Sequence, residues 1–207
     1  MSAPVAGRRA VVIGLPLIAD AVTAELRAGG AQVEQVATAR EVVADADGVR
    51  ERLGGVDLVV AALGGIGGGP FGLTPAEKWA AMVEQGAGDA VLAARAFLDD
   101  LLTAAANDRP ADLVLVGSAA ASELVPAFAV HAATAAGAAQ LARTLRVELG
   151  GTLVRVRHVA VGWVATQSTA DGAALTPADV ARTVVFTTTM PPTTNVAEVS
   201  LLATRYG

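Results

Sequence analysis

The chain has 207 residues, of which 53% are hydrophobic and 17% charged, and its formal net charge is −5. That length suits one compact domain, and that balance excludes a disordered chain and any electrostatic pull toward nucleic acid or anionic membranes. With no cysteine, and only His131 and His158 as imidazoles, disulfides, thiolate chemistry and a metal site are excluded from expectation.

Arg8 and Arg9 precede an apolar stretch, as in a secretion signal. No small-residue cleavage site follows, and Asp20, Glu25 and Arg27 continue a helical pattern. The longest uncharged run, residues 124–142, is mostly alanine and contains Pro126, His131 and Gln140. It is too weakly apolar for a membrane span. A soluble, cytoplasmic protein is the expectation.

Arg9–Gly14 is a short β-branched run ending in glycine and predicts a buried strand. Ile18, Val22 and Leu26 recur at helical spacing, and Gly29 and Gly30 close that helix. Gln32–Val36 reads as a second strand, residues 42–44 as a short third, and Asp47 as the cap of a helix over 48–53. Residues 57–62 form a fourth strand, followed by the glycine-rich loop 64–70. Thr74-Pro75 caps a long helix reaching about Ala106, bent near Gly86 and Gly88. A fifth strand at 112–117, an alanine-rich helix ending near Leu149, a sixth strand at 153–161, a helix over 178–188 and a seventh strand at 196–202 complete the order. Strands alternating with helices predict an α/β fold: a three-layer, doubly wound parallel sheet of about seven strands in one domain spanning 1–207. The nearly all-apolar strands agree with helices on both faces.

Five landmarks stand in order: V-V-I-G-L-P-L-I-A-D, D-L-V-V-A-A-L-G, L-V-L-V-G-S-A-A, V-A-V-G-W-V-A-T, and the tail L-T-P-A-D-V-A-R followed by P-P-T-T-N-V-A-E-V. Together they resemble the short-chain dehydrogenase/reductase superfamily over almost the whole chain. The resemblance implies a Rossmann-like fold and a nicotinamide dinucleotide held by T-G-x-x-x-G-x-G after the first strand. Gly14 keeps the first glycine, but Ile18 and Asp20 stand where the next two belong. A carboxylate about 5 Å from a phosphate charge costs roughly 3 kcal/mol at an effective dielectric near 20. That is about a hundredfold in affinity if Asp20 faces the site. Otherwise Ile18 is a core residue and Asp20 merely favours the helix dipole. The stretch after strand two is too short for the family's next helix. Asp45 takes the place of the aspartate that touches adenine, and Arg40 is the one candidate for a 2′-phosphate. Gly64, Gly162 and Thr166 fill the remaining cofactor positions, and the expectation is no nicotinamide dinucleotide, or weak binding of one.

The family's catalytic set is Asn, Ser, Tyr and Lys, the last two as Y-x-x-x-K. Here Ser118 keeps the serine, His131 stands at the tyrosine, Ala135 at the lysine and Gln85 at the asparagine. The only tyrosine is Tyr206 and the only lysine is Lys78, so no realignment restores the pair. Ser118 and His131 remain as the candidate reactive pair, with Gln85 beside them and Glu123 the one acid for a triad. The loop at 64–70 could cradle an anion or simply connect, and the connector is the commoner case. The segment 166–176 is short for the family's substrate lid, predicting an open pocket.

Ala132, Ala133, Ala135, Ala136, Gly137, Ala138 and Ala139 put small residues nearly all round one helix, which suggests close helix packing between subunits in a homodimer or homotetramer. Three readings compete: a lapsed enzyme kept as a binding protein or as partner of an active relative; a repurposed enzyme doing proton chemistry on a small apolar molecule through His131; and a divergent oxidoreductase with His131 replacing tyrosine. The first two stand level, ahead of the third.

Overall fold

A computed structural model of the chain describes residues 5–62, 64, 67–166 and 174–204. Six strands form one sheet in the order β2-β1-β3-β4-β5-β6: β1 Arg9–Gly14, β2 Gln32–Val36, β3 Leu58–Ala62, β4 Ala111–Ser118, β5 Val154–Val161 and β6 Glu198–Leu201. Every pairing is parallel. The central strands are buried on both faces, which is why their sequences are continuous apolar runs rather than alternating ones.

Helices α1 (Pro16–Ala28) and α8 (Pro177–Thr188) cover one face of the sheet. Ala19, Val22 and Leu26 of α1 recur at one helical stripe and pack on Val180, Ala181 and Val184 of α8 and on Val12, Val60, Val114 and Val159 of the sheet. The other face carries α2 (Ala39–Ala44), α3 (Ala46–Leu53), α5 (Asp89–Ala96), α6 (Leu98–Ala106) and α7 (Ala129–Glu148). Ahead of α5 run α4 (Ala76–Val83) and a π-helical turn, Glu84–Gly88. The expected bend near Gly86 and Gly88 is this turn, and a second break falls at Phe97, whose backbone is not helical.

The count of strands and the region after β2 differ from the sequence expectation. Residues 42–44 are the end of α2 and not a strand, so the described sheet has six strands and β2 is its edge. Val42 and Ala39 are the buried face of a helical turn, a spacing that the short β-branched pair Val42-Val43 disguised. Thr38 caps α2 by accepting the N–H of Glu41 at 3.2 Å. The chain therefore does find room for helix after strand two. Asp47 is not a cap: α3 starts at Ala46, and the Asp47 carboxylate pairs with Arg50 at 2.7 Å. Thr74 likewise donates its hydroxyl to the Pro70 carbonyl rather than capping α4. Thr176 caps α8 through a reciprocal box with Asp179.

The amino ends of the strands are tied by buried ions. Asp112 of β4 accepts from Arg155 at 2.8 and 2.9 Å and from Arg8 at 2.8 Å, and it also pairs with Arg157. Asp57, just before β3, takes Arg8, Arg9 and Arg109. This network lies at the sheet's amino end, away from the crevice described next.

Candidate functional site

The strand order reverses between β1 and β3, and a doubly wound sheet opens its crevice beyond the carboxyl ends of the strands at that reversal. A cavity of about 130 Å³ lies there. Its walls come from Ile18 of α1, Ala61 and Ala62 of β3, Gly117 and Ser118 of β4, Gly86 of the π turn, and His131, Thr134, Ala135 and Ala138 of α7. The four α7 residues lie on one helical face, at spacings of three and four. Most of this wall is glycine, alanine and valine, so the space exists because side chains are missing from it.

Ser118 and His131 are neighbours in the cavity wall. Both border this cavity, and both border a second one of about 30 Å³ beside it. Ser118 ends β4 and its Oγ accepts the Ala120 N–H at 3.2 Å, which fixes it as the cap of the turn Ala119–Ala121. His131 sits in the first turn of α7, half-buried, with Phe128 meeting it edge-on at 6.1 Å. Phe128 is in turn braced edge-on by Trp163 at 5.7 Å. Glu123 borders the smaller cavity with them. Gly162 lines both spaces, and Gly64, with a left-handed φ of 89°, lines the larger.

Gln85 does not belong to this group. The extra residue of the π turn rotates the helix face, so Gln85 is exposed and Gly86 is buried against α7. A β-carbon on Gly86 would lie 2.1 Å from Thr134 Cγ2, so only glycine allows the two elements to close this far. Ala135, at the place of the family's lysine, is buried in the cavity wall. Lys78 is exposed on α4, and Tyr206 lies outside the described residues. At its described positions the glycine loop contributes Gly64 to the cavity wall, and Gly69 donates its N–H to the Ala127 carbonyl at 2.8 Å. Gly65, Ile66 and most of the expected lid, 167–173, lie outside the described residues, and Thr166 is exposed just before them.

The α1 turn departs from the family's dinucleotide-holding pattern. Helix α1 starts straight after β1, with Leu15 as an N-cap that makes no side-chain bond and with Pro16 in its first turn, removing one of the free amides a phosphate would use. Leu15 and Leu17 are exposed there, and Ile18 projects into the cavity wall. Gly14 is retained for another reason. Its φ is 145°, and a β-carbon on it would lie 2.0 Å from the Ala62 carbonyl oxygen, so it is fixed by the packing of β1 on β3. Asp20 is exposed, does not line the cavity and accepts from Gln35 at 2.6 Å, whereas Ile18 does line it. Asp45 is spent on Arg52 at 3.0 Å, and Arg40, on α2 rather than a loop, pairs with Glu84.

His158, which sequence reasoning left aside, lies in β5 with its Nε2 2.5 Å from where a side chain on Gly117 would begin. Burial pushes its imidazole below the ordinary histidine range, against the opposing charge of Glu198 and with help from Arg143 and Arg146. A glycine in β4 diagonal to a histidine in β5, two places beyond its paired residue Leu115, was the available signal.

The model of the short chain dehydrogenase family matches residues 18–174, a span that begins after the β1–α1 turn. Among curated proteins, 1-deoxy-11-beta-hydroxypentalenate dehydrogenase of Streptomyces exfoliatus is 38% identical over 149 residues, covering 69% of this chain and 53% of that protein. An uncharacterized oxidoreductase of Staphylococcus aureus is 25% identical over 157 residues, covering 73% and 66%. The chain thus spans between half and two thirds of the length of these relatives. Among solved structures, serine dehydrogenase from Escherichia coli superposes with a TM-score of 0.80 at 21% identity, covering 93% of this chain and 96% of that one. A short chain dehydrogenase from Burkholderia cenocepacia in complex with NADP gives 0.82 at 21%, covering 96% and 98%. The fold and the matched span define a Rossmann-like member of a dehydrogenase family: the chain belongs to the short chain dehydrogenases. No described helix is long and apolar enough to cross a membrane.

Proposed function

We propose that this chain is a repurposed family member that moves a proton, not a hydride, on a small carbonyl or hydroxyl compound. The observation that carries this reading is that Ser118 and His131 border the same cavity while Ala135, Ile18 and Pro16 stand where ribose and phosphate would be held. Imidazole is the side chain that holds and releases a proton near neutral pH. A carbonyl oxygen takes a hydrogen bond from the Ser118 hydroxyl. His131 removes a proton from the adjacent carbon, the C–H pair moves into the forming C=C bond, and the oxygen gains the negative charge that Ser118 stabilises. Return of the proton from His131 to another carbon of the conjugated enolate, as the carbonyl re-forms, completes an isomerisation. No external oxidant or reductant enters the sequence.

The test is deuterium exchange. Cyclohexanone is incubated with the protein in D₂O, and label at the carbon next to the carbonyl is read by mass spectrometry. Exchange well above buffer that falls at least about a hundredfold in His131→Gln, with melting unchanged, supports the reading. Equal exchange in wild type and His131→Gln overturns it and leaves a lapsed enzyme acting as a binding protein or partner subunit.

A second reading, a divergent NAD(P)(H)-dependent oxidoreductase with His131 in the tyrosine's place, is favoured by family membership and by the dehydrogenase and oxidoreductase names of the relatives. It requires the α1 turn, which departs from the family's pattern, to accept a pyrophosphate.

A further inference from the structure

Two buried helical threonines, Thr23 and Thr134, depart from the pattern of the others, and of the two only Thr134 lines the cavity. Thr103, Thr183, Thr187 and Thr188 each donate their hydroxyl to a carbonyl three or four residues back, at 2.8 to 2.9 Å. That back-bond is the ordinary resting place of a helical threonine. Thr134 is more than nine-tenths buried, yet its Oγ1 has no partner among the described residues. The cause is steric. Its methyl group is seated against Gly86, 2.1 Å from where a β-carbon there would be, and this seat fixes the rotamer. The hydroxyl is left on a residue that lines the cavity.

A second polar atom stands behind the same wall. His158 Nε2 is buried and also lacks a partner, in the space that a side chain on Gly117 would fill. Gly117 and Thr134 both line the cavity. A buried hydroxyl or imidazole nitrogen left unbonded is destabilising, and native proteins keep such groups where something else satisfies them. Apart from Ser118 and His131, the rest of the wall is glycine, alanine, valine, Ile18, Met82 and Leu115, so whatever enters is apolar along most of its surface.

We propose that Thr134 is a ligand-selecting residue: its hydroxyl recognises the single oxygen of a compact, otherwise apolar molecule the size of one six-membered ring. An apolar cavity of about 150 Å³ takes up benzene, and the space here is about 130 Å³. The inference names the ligand class for the site read above as a proton-transfer centre. It concerns binding alone and stands apart from whether Ser118 and His131 react.

The probes are phenol and toluene, equal in shape and differing by hydroxyl against methyl. Binding to the full chain is followed by amide chemical-shift changes at Thr134, Ala135 and Gly117. Phenol is expected to bind at least about tenfold tighter than toluene. Thr134→Val, nearly the same shape, removes that preference while toluene binding persists, which also shows that the variant is folded. Thr134→Ser restores the preference. Equal affinity of the two probes for the wild type overturns the proposal, as does a preference that survives in Thr134→Val or the absence of binding by either probe at 10-millimolar order. Loss of deuterium exchange with retained phenol selectivity contradicts only the proton-transfer reading.

Discussion

The carbonyl oxygen of Ala62 lies 2.0 Å from the point a β-carbon on Gly14 would occupy. One glycine of the dinucleotide fingerprint is thereby explained by the closeness of β1 and β3, with no phosphate needed. Gly14→Ala forces backbone against backbone at a φ that L-residues avoid, so a loss of about 3 kcal/mol or more is expected in urea denaturation. Asp20→Gly, by contrast, removes an exposed contact to Gln35 and costs under about 1 kcal/mol.

The buried ions at the amino end of the sheet predict an asymmetry. Burial alone pushes the Asp112 carboxyl up, but the hydrogen bonds of Arg155 and the charges of Arg157 and Arg8 hold it below the usual carboxylate range. Asp112→Asn leaves Arg155 and Arg157 without their carboxylate, while Arg8 keeps Asp57, and is expected to cost about 3–5 kcal/mol. Arg157→Met is expected to cost under about 1.5 kcal/mol, since Asp112 keeps two partners and the guanidinium's Nε and Nη2 have none among the described residues. Paired denaturation curves check both.

His158 gives the fold a pH dependence of known sign. Its folded-state pKa lies below that of the unfolded chain, near 6.5, so below that pH the unfolded state binds a proton that the folded state refuses. Stability from this group is full above about pH 6.5 and is lost as pH falls toward the depressed folded value. The melting temperature should drop between pH 7 and pH 5, and His158→Asn should flatten that drop. An equal slope in the variant would assign it to other groups. Asp112, also depressed, acts in a lower window: its contribution is present above the ordinary carboxylate pKa near 3.9 and disappears below it.

The order of strands and helices was legible in the sequence because buried parallel strands leave unbroken apolar runs, and glycine and proline punctuate them. The stretch after β2 was not: Val42-Val43 looks like strand, and only the Thr38 cap and the spacing from Ala39 to Val42 mark it as helix. At the site, Ser118 and His131 were picked out by the family resemblance, which assigns them the serine and tyrosine positions at the end of one strand and the start of one helix. Gln85 was misplaced because a π turn shifts the face of a helix by one residue and leaves no mark in composition. The cavity itself, and the hydroxyl of Thr134 in its wall, depend on which glycines and alanines meet across elements, and that is a property of packing.

The proton-transfer reading requires that the α1 turn with Pro16 and Ile18 hold no nicotinamide dinucleotide. The most direct measurement is a titration of the purified chain with NADPH and NADH, followed by nucleotide fluorescence and melting temperature. The account predicts no saturable binding at concentrations on the order of 1 mM. Saturable binding at micromolar nucleotide, with a matching rise in melting temperature, would contradict it and restore hydride transfer as the leading function.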